Sequence, residues 1–540
     1  MKGLTSDYQL TLPAMLHRAE ALHGPKEIVT RRPDRSFHRY TYAGFVRRAK
    51  QLAAALGDLG LQKSDRVATL AWNSYQHLEA YFGVPSAGAV LHTINPRLSP
   101  DDITYIVNHA EDRVLLIDET MVKLLGGFSD RVNLEHVFVL SGDGSAPEGL
   151  ESYEELLSNA DEGWFDYPDF DENDAAAMCY TSGTTGRPKG ALYSHRAICL
   201  HSMASGMRDM LGIAEQDVVM PIVPMFHVNA WGLPFTCTLV GAKQVMPGPH
   251  LDPESLLENL ANEKVTVTAG VPTIFFGLLR KLDEDPQAYD LSSLRTMIIG
   301  GSAAPEGMIR AFQERHGLHV LHAWGMTETT PLGTVCVLSS QVDHLSEDER
   351  YRVRAKQGLP GPFIELRARG DEGFVPWDGE SMGELEIRGP WVSGGYFNTE
   401  EGSEKFTEDG WFKTGDIVTI DPNGYVEIQD RTKDLIKSGG EWISSVALEN
   451  SLMAHDAVAE AAVVAIPHQR WAERPLGVVV LKEGEEATEE ELISHLAEEH
   501  PKWSLPDAIE FVDEIPHTAT GKALKMELRE QYKDCQPAQG

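Results

Sequence analysis

Five successive segments between Asp65 and Asp118 limit the fold this chain can adopt. "DRVATLA" (65–71), "AVLHTI" (89–94) and "DRVLLID" (112–118) are short apolar, β-branched runs of strand character. Between them lie two helical patterns, "SYQHLEAYFGVPSAG" (74–88) and "SPDDITYIVNHA" (99–110), the second opened by Ser99 with Pro100 at its first position. Strands alternating with helices predict a mixed α/β architecture. With 540 residues the chain exceeds one ordinary core, so two or more domains are expected. Near residue 430 the polar stretch "DRTKDL" precedes a compact run of its own strands and helices. This predicts a large N-terminal domain of mixed α/β layers (1–429), a linker (430–435) and a small α+β C-terminal domain (436–540).

Within that frame, "TSGTTGRPKG" (181–190) crowds glycines, hydroxyls and a lysine into ten positions behind the short strand "MCYT". Glycines let backbone approach a ligand, amides and hydroxyls donate to phosphoryl oxygens, and lysine offsets their charge, so a polyphosphate site is expected. It is not a Walker A loop, because only two residues separate Gly183 from Gly186 and Lys189 is followed by Gly190. A second glycine turn, "TMIIGGSAAP" (296–305), reads as strand, turn and helix, which would bring backbone amides to a helix N-terminus. The acidic stretch 161–177 reads as a solvated connection.

Acidic residues outnumber basic ones by 82 to 47, for a formal net charge of −35, a field that repels nucleic acid and anionic membranes. A bound polyanion therefore needs a locally built site. No apolar run approaches the roughly 20 residues of a membrane span, and the N-terminus lacks a signal-peptide pattern, so a cytoplasmic protein is expected. Cys179, Cys199, Cys237, Cys336 and Cys535 have no paired or metal-ligand spacing and read as reduced thiols.

The glycine loop heads an ordered series: "YSH", "PMFHVNAW", "GGSAAP", "WGMTET", "GELEIRGPWVSGGYF", "GWFKTGD", "DRTKDLIKSGGEWIS" and "TATGKALK". This series resembles the adenylate-forming superfamily of acyl-CoA synthetases, luciferases and peptide-synthetase adenylation domains. Within it the chain looks most like bacterial medium- to long-chain fatty acyl-CoA synthetases. The resemblance implies that a carboxylic acid attacks the α-phosphate of ATP with Mg2+, giving acyl-AMP and pyrophosphate, and that CoA then displaces AMP. The acid, with a pKa of about 4 to 5, is already ionised at neutral pH, so activation needs positioning and charge stabilisation and no general base.

By the same resemblance, Thr181, Ser182, Gly183, Thr184, Thr185, Gly186 and Lys189 hold the β- and γ-phosphates, with Thr184 and Glu328 as Mg2+ contacts. Gly301, Ser302 and Ala303 form the adenine-side loop, Trp324, Gly325 and Thr327 line the nucleotide site, Asp416 takes the ribose and Arg431 the ribose or α-phosphate. Lys522 reaches the α-phosphate and the acid. For the second half-reaction the small domain rotates about the linker, with Lys433 at the hinge, and Lys437, Gly439, Gly440 and Trp442 line the pantetheine tunnel.

"PMFHVNAW" puts His227 and Trp231 four apart, reading as one helical face beside Val228 and Leu233. The resemblance places His227 near the acyl adenylate and makes Trp231 the gate of an apolar tunnel, with small residues around Val271, Gly301 and Gly333 leaving room for an alkyl chain. Short-chain, aromatic or methylthio acids such as 3-methylmercaptopropionate stay open as substrates, as does a carrier-protein thiol in place of CoA. Related synthetases imply a possible homodimer.

Overall fold

The structure, a computed structural model, describes residues 1, 3–160, 169–181, 187–439, 441–468, 470–517, 523–533 and 535. The strand–helix series is present as read: strands Arg66–Leu70, Val90–Thr93 and Asp112–Asp118 alternate with helices Tyr75–Ser86 and Pro100–Ala110. The Ser99 hydroxyl caps the second helix, accepting from the Asp102 amide at 3.1 Å. These strands pair in parallel within a seven-stranded sheet that continues through Ala175–Tyr180 and ends on Gly190–Ser194, which is antiparallel to its neighbour.

The reading of 161–177 as solvated connection is corrected at its end, since Ala175–Tyr180 is a strand; residues 161–168 lie outside the described residues. Ala176 and Ala177 are fully buried, and Ala177 lies in register with Leu91, so the sheet interior selects these small residues.

A nine-stranded sheet forms the other half of the large domain. Its parallel interior runs through Glu27–Arg31, Lys243–Met246, Val218–Pro221, Val267–Gly270, Thr296–Ile299 and Val320–Gly325. Helices Leu12–His23, Tyr42–Asp58, Tyr75–Ser86 and Leu233–Val240 pack between the two sheets, and one apolar core joins Leu16, Phe45, Phe82 and Phe235 to Val67 and Leu91 on one side and Ile28 and Val219 on the other. Outer helices cover the remaining faces, as near-continuous apolar strands in parallel sheets require. Among the described residues no helix is long and apolar enough to cross a membrane. All five cysteines are free thiols, and Cys179, Cys199, Cys237 and Cys336 are buried.

An antiparallel sheet from Glu365–Gly370 to Val426–Arg431 follows, and the next strand, Ile436–Ser438, opens a separate sheet in the C-terminal region. There, alternate residues of Val458–His468 face opposite ways. Val463 joins Leu448, Leu452, Leu492 and Leu496 in one core, whereas Ala462 and Val464 join Leu476 and Leu528 in another. The result is a large N-terminal domain and a small C-terminal one with helices on both faces of its sheet.

Candidate active site

A cavity of about 520 Å³ opens where the glycine turns of the large domain meet residues 431–434 and 523–526. Thr181, Lys189, His227, Val228, Trp231, Gly301, Trp324, Gly325, Thr327, Glu328, Arg431 and Lys433 all line it, although they are scattered over some 250 residues of sequence. Ser182, Gly183, Thr184, Thr185, Gly186, Gly440 and Lys522 lie outside the described residues.

The phosphate-loop candidate is pinched at its base. Strands Ala175–Tyr180 and Gly190–Ser194 run antiparallel, with Tyr180 opposite Gly190. Beyond that pair the Thr181 amide donates to the Lys189 carbonyl at 2.9 Å, and the Lys189 amide donates to Thr181 Oγ1 at 3.1 Å. Two hydrogen bonds thus hold both ends of residues 181–189 at the cavity mouth. Lys189 Nζ pairs with Glu401 at 2.8 Å, where anionic phosphate oxygens would compete for the same ammonium.

Glu328 enters the cavity from the short turn Thr327–Thr329, which is anchored by the Tyr193 hydroxyl donating to the Thr327 carbonyl at 2.7 Å. The Glu328 side chain belongs to a residue only 3% exposed, and among the described residues its one hydrogen-bond partner is the Tyr396 hydroxyl, which donates to Oε1 at 2.5 Å. Among the described residues no lysine or arginine pairs with it, and no cluster of three His, Cys, Asp or Glu side chains forms a metal cage. One hard carboxylate facing an open cavity fits Mg2+ held mainly by phosphate oxygens and water. Tyr396 is a site residue that sequence reasoning missed: it stands in "SGGYF", and no spacing rule singles out its hydroxyl.

The expectation of a helical face carrying His227 and Trp231 is overturned. Val228, Asn229, Ala230 and Trp231 have φ of 44°, 52°, 49° and 55°, a left-handed turn closed by Gly232 at 73°. An i, i+4 apolar spacing carries no information on handedness, and four such non-glycine residues cost roughly 1–2 kcal/mol each. What holds the turn is packing and a buried hydrogen bond from Cys179 Sγ to Asn229 Oδ1 at 2.9 Å, on the strand that leads into the phosphate loop. The imidazole of His201 lies against Gly232, where a Cβ would fall 2.6 Å from its Cε1. His227 and Trp231 still face the cavity.

The Trp231 ring closes over the second glycine turn: a Cβ on Gly300 would lie 3.1 Å from its Cη2. It is these glycines, ahead of the helix Glu306–His316, that reach the cavity; the helix terminus, Ser302 and Ala303 do not line it. Gly333 does not leave room for an acyl chain as expected, because the Trp324 ring occupies that space, 2.4 Å from where its Cβ would be. Val271 stands behind Gly301, its Cγ1 3.2 Å from a Cβ there.

Asp416, expected at the ribose, is not among the cavity-lining residues: it lies beneath the wall, 1% exposed, with both carboxylate oxygens engaged by protein groups. Its Oδ2 accepts from Trp324 Nε1 at 3.1 Å and its Oδ1 pairs with Arg431 Nε at 2.6 Å. One carboxylate therefore fixes two cavity-lining side chains. Burial lowers the Lys433 ammonium below the usual lysine range. Lys437, Gly439 and Trp442 belong to the hairpin Ile436–Ser438/Glu441–Ile443 and are not among the cavity-lining residues. Gly439, at φ 62°, packs on Trp471, whose ring would be 2.7 Å from a Cβ.

Residues 16–397 match the AMP-binding enzyme family, and residues 447–522 match the AMP-binding enzyme C-terminal domain. The chain belongs to the AMP-binding enzymes. It is 52% identical to a long-chain-fatty-acid–CoA ligase of Thermus thermophilus over 531 residues, covering 98% of this chain and 96% of that protein. It is 45% identical over 541 residues to a 3-methylmercaptopropionyl-CoA ligase of Ruegeria lacuscaerulensis, covering 99% of each. Among solved structures, this AMP-binding enzyme superposes on the anthranilate CoA ligase AuaEII in complex with anthranoyl-AMP with a TM-score of 0.87 at 27% identity, covering 99% of both chains.

Proposed function

We propose that this AMP-forming acyl-CoA ligase acts on a medium- to long-chain fatty acid. The acid and ATP give acyl-AMP and pyrophosphate, and CoA then takes the acyl group and releases AMP. The observation that carries the reading is the cavity itself, where a phosphate-loop lysine, a lone buried carboxylate and a tryptophan-lidded apolar wall meet. Long chain length rests on the Thermus relative and on Leu211, Val228, Ile298 and Ala323 around Trp231.

In the first half-reaction, Lys189 and the loop 181–186 bind the β- and γ-phosphates, and Glu328 with Thr184 holds Mg2+, which neutralises phosphate charge when bound. Tyr396 keeps the Glu328 carboxylate aimed at that place by bonding one oxygen and leaving the second to face the cavity. Trp324 orients the nucleotide and Arg431 its ribose or α-phosphate, both set by Asp416. Lys522 offsets the negative charge that builds at the α-phosphate. For the second half-reaction the region 436–540 turns about 430–435, with Lys433 as hinge, and brings Lys437, Gly439, Gly440 and Trp442 to the thiol. We infer a cytoplasmic reaction, in a compartment that supplies both ATP and CoA.

The test is pyrophosphate release with ATP and Mg2+ over acids from acetate to C18, aromatic acids and 3-methylmercaptopropionate, with and without CoA. The reading requires a CoA-dependent optimum among the longer acids. An optimum at the methylthio acid would instead assign the activity named for the Ruegeria relative. Trp231→Ala is expected to flatten the chain-length profile, since a packed apolar pocket discriminates by about 1 kcal/mol per methylene; kcat/KM across the same panel checks it.

A further inference from the structure

A charged cluster, largely shielded from solvent, lies at the edge of the cavity where three parts of the chain meet. Lys525, first residue of the helix Lys525–Gln531, lines the cavity and places its Nζ 2.6 Å from Glu449 Oε1. The same ammonium donates to Ser445 Oγ at 2.6 Å. Ser445 in turn donates from both its amide and its hydroxyl to Asp430 Oδ2, each at 2.6 Å. Glu449 Oε1 also accepts from the Val463 amide at 2.6 Å, which fixes its carboxylate on the C-terminal sheet. Alongside, Arg529 pairs with Asp434.

Asp430 belongs to the large domain's side of this cluster: it sits in the strand Val426–Arg431, in register with Ile417, and is 1% exposed. Ser445 and Glu449 are on the first C-terminal helix, and Lys525 is on the last. Burying two carboxylates and an ammonium together is costly, and removing one partner leaves the others uncompensated. Such a cluster adds little net stability over an apolar one but specifies one arrangement sharply.

We propose that Lys525, through Ser445 and Asp430, is a positioning residue for adenylate formation: it clasps the chain segment 523–526 to the end of the large domain's last strand, so that the cavity wall this segment makes is in place when ATP and acid react. The proposal rests on the acyl-CoA ligase reading and on turning about 430–435. In such a turn Lys525, Ser445 and Glu449 travel together while Asp430 stays with its sheet, so the Asp430–Ser445 link is the one that opens. The clasp therefore favours the first half-reaction alone.

The experiment measures the two half-reactions separately in Lys525→Met and Asp430→Asn, with acid-dependent pyrophosphate exchange for the first and thioester formation from pre-made acyl adenylate and CoA for the second. Pyrophosphate exchange is expected to fall about tenfold or more in both variants, while thioester formation is retained or rises and Lys525→Arg recovers part of the loss. Equal loss in both half-reactions, with a lowered Tm, would make the cluster merely structural and overturn the proposal, as would no loss in either. If Lys525→Met does not fold, Asp430→Asn decides alone. Wild-type protein that shows no pyrophosphate exchange with any acid would instead sink the ligase reading, and the clasp with it.

Discussion

Lys522→Ala is expected to abolish acyl-adenylate formation while sparing thioester formation from pre-made acyl adenylate. The first half-reaction joins two anions, and the charge that builds at phosphorus has to be met by preorganised cations. Loss of one such group typically costs about 10²- to 10³-fold in kcat, or about 3–4 kcal/mol. Ala523 and Leu524, the residues that follow Lys522 in sequence, line the same cavity as Thr181 and Lys189. The second half-reaction displaces AMP from an already activated carbonyl and has no comparable demand. Pyrophosphate exchange and CoA-dependent thioester formation, assayed apart, check the split. Equal losses would mean that one arrangement of the chain serves both steps.

Glu328→Gln is expected to lower adenylation by a similar factor, about 10² or more, and to move the half-saturating Mg2+ concentration upward. The substitution keeps the size of the side chain and a hydrogen-bonding partner for Tyr396, so folding is preserved and the removed negative charge is isolated. A Mg2+ titration of pyrophosphate exchange separates this effect from a loss of ATP affinity. Tyr396→Phe leaves the charge in place and frees Oε1, so its effect should be smaller than that of Glu328→Gln.

The elements most legible in the sequence are those whose pattern and environment agree. Arg66–Leu70, Val90–Thr93 and Asp112–Asp118 carry apolar residues on both faces, Val67, Leu91, Val114 and Leu116 in one core and Ala68, Leu70, Leu115 and Ile117 in another, because helices cover both sides of the sheet, and Ser99 with Pro100 marks its helix start by chemistry that depends on nothing distant. Ala175–Tyr180 is half hidden, since alanine is indifferent to strands and its place comes from the flanking strands Val90–Thr93 and Gly190–Ser194. The turn at 228–231 differs for another reason: apolar spacing reports which residues are buried, not the sign of φ, and the turn is held by Cys179 and His201 from other parts of the fold together with the adjoining Gly232.

The site shows the same division. Motif order located Lys189, Glu328, Trp324 and Arg431 around one cavity, although they are far apart in sequence. What it left out are groups that act on other groups. Tyr396 on Glu328 and Asn229 on Cys179 are single hydrogen bonds across long sequence separations, and Ser445 joins Asp430 to Lys525 through three. Gly333 shows the converse limit: small size reads as vacant space, whereas here a neighbouring indole fills it.

The apolar core shared by the two parallel sheets means that neither can lose its packing without the other. The large domain should therefore melt as one cooperative unit, and the C-terminal region, with its own pair of cores, as a second. Differential scanning calorimetry is expected to resolve two transitions in the free protein. A non-hydrolysable acyl-adenylate analogue held by residues of both regions stabilises them jointly, by about 2.7 kcal/mol at 100 times its Kd. Under that ligand the two heat-absorption peaks should draw together, making the melting profile itself a gauge of how tightly the two bodies are coupled.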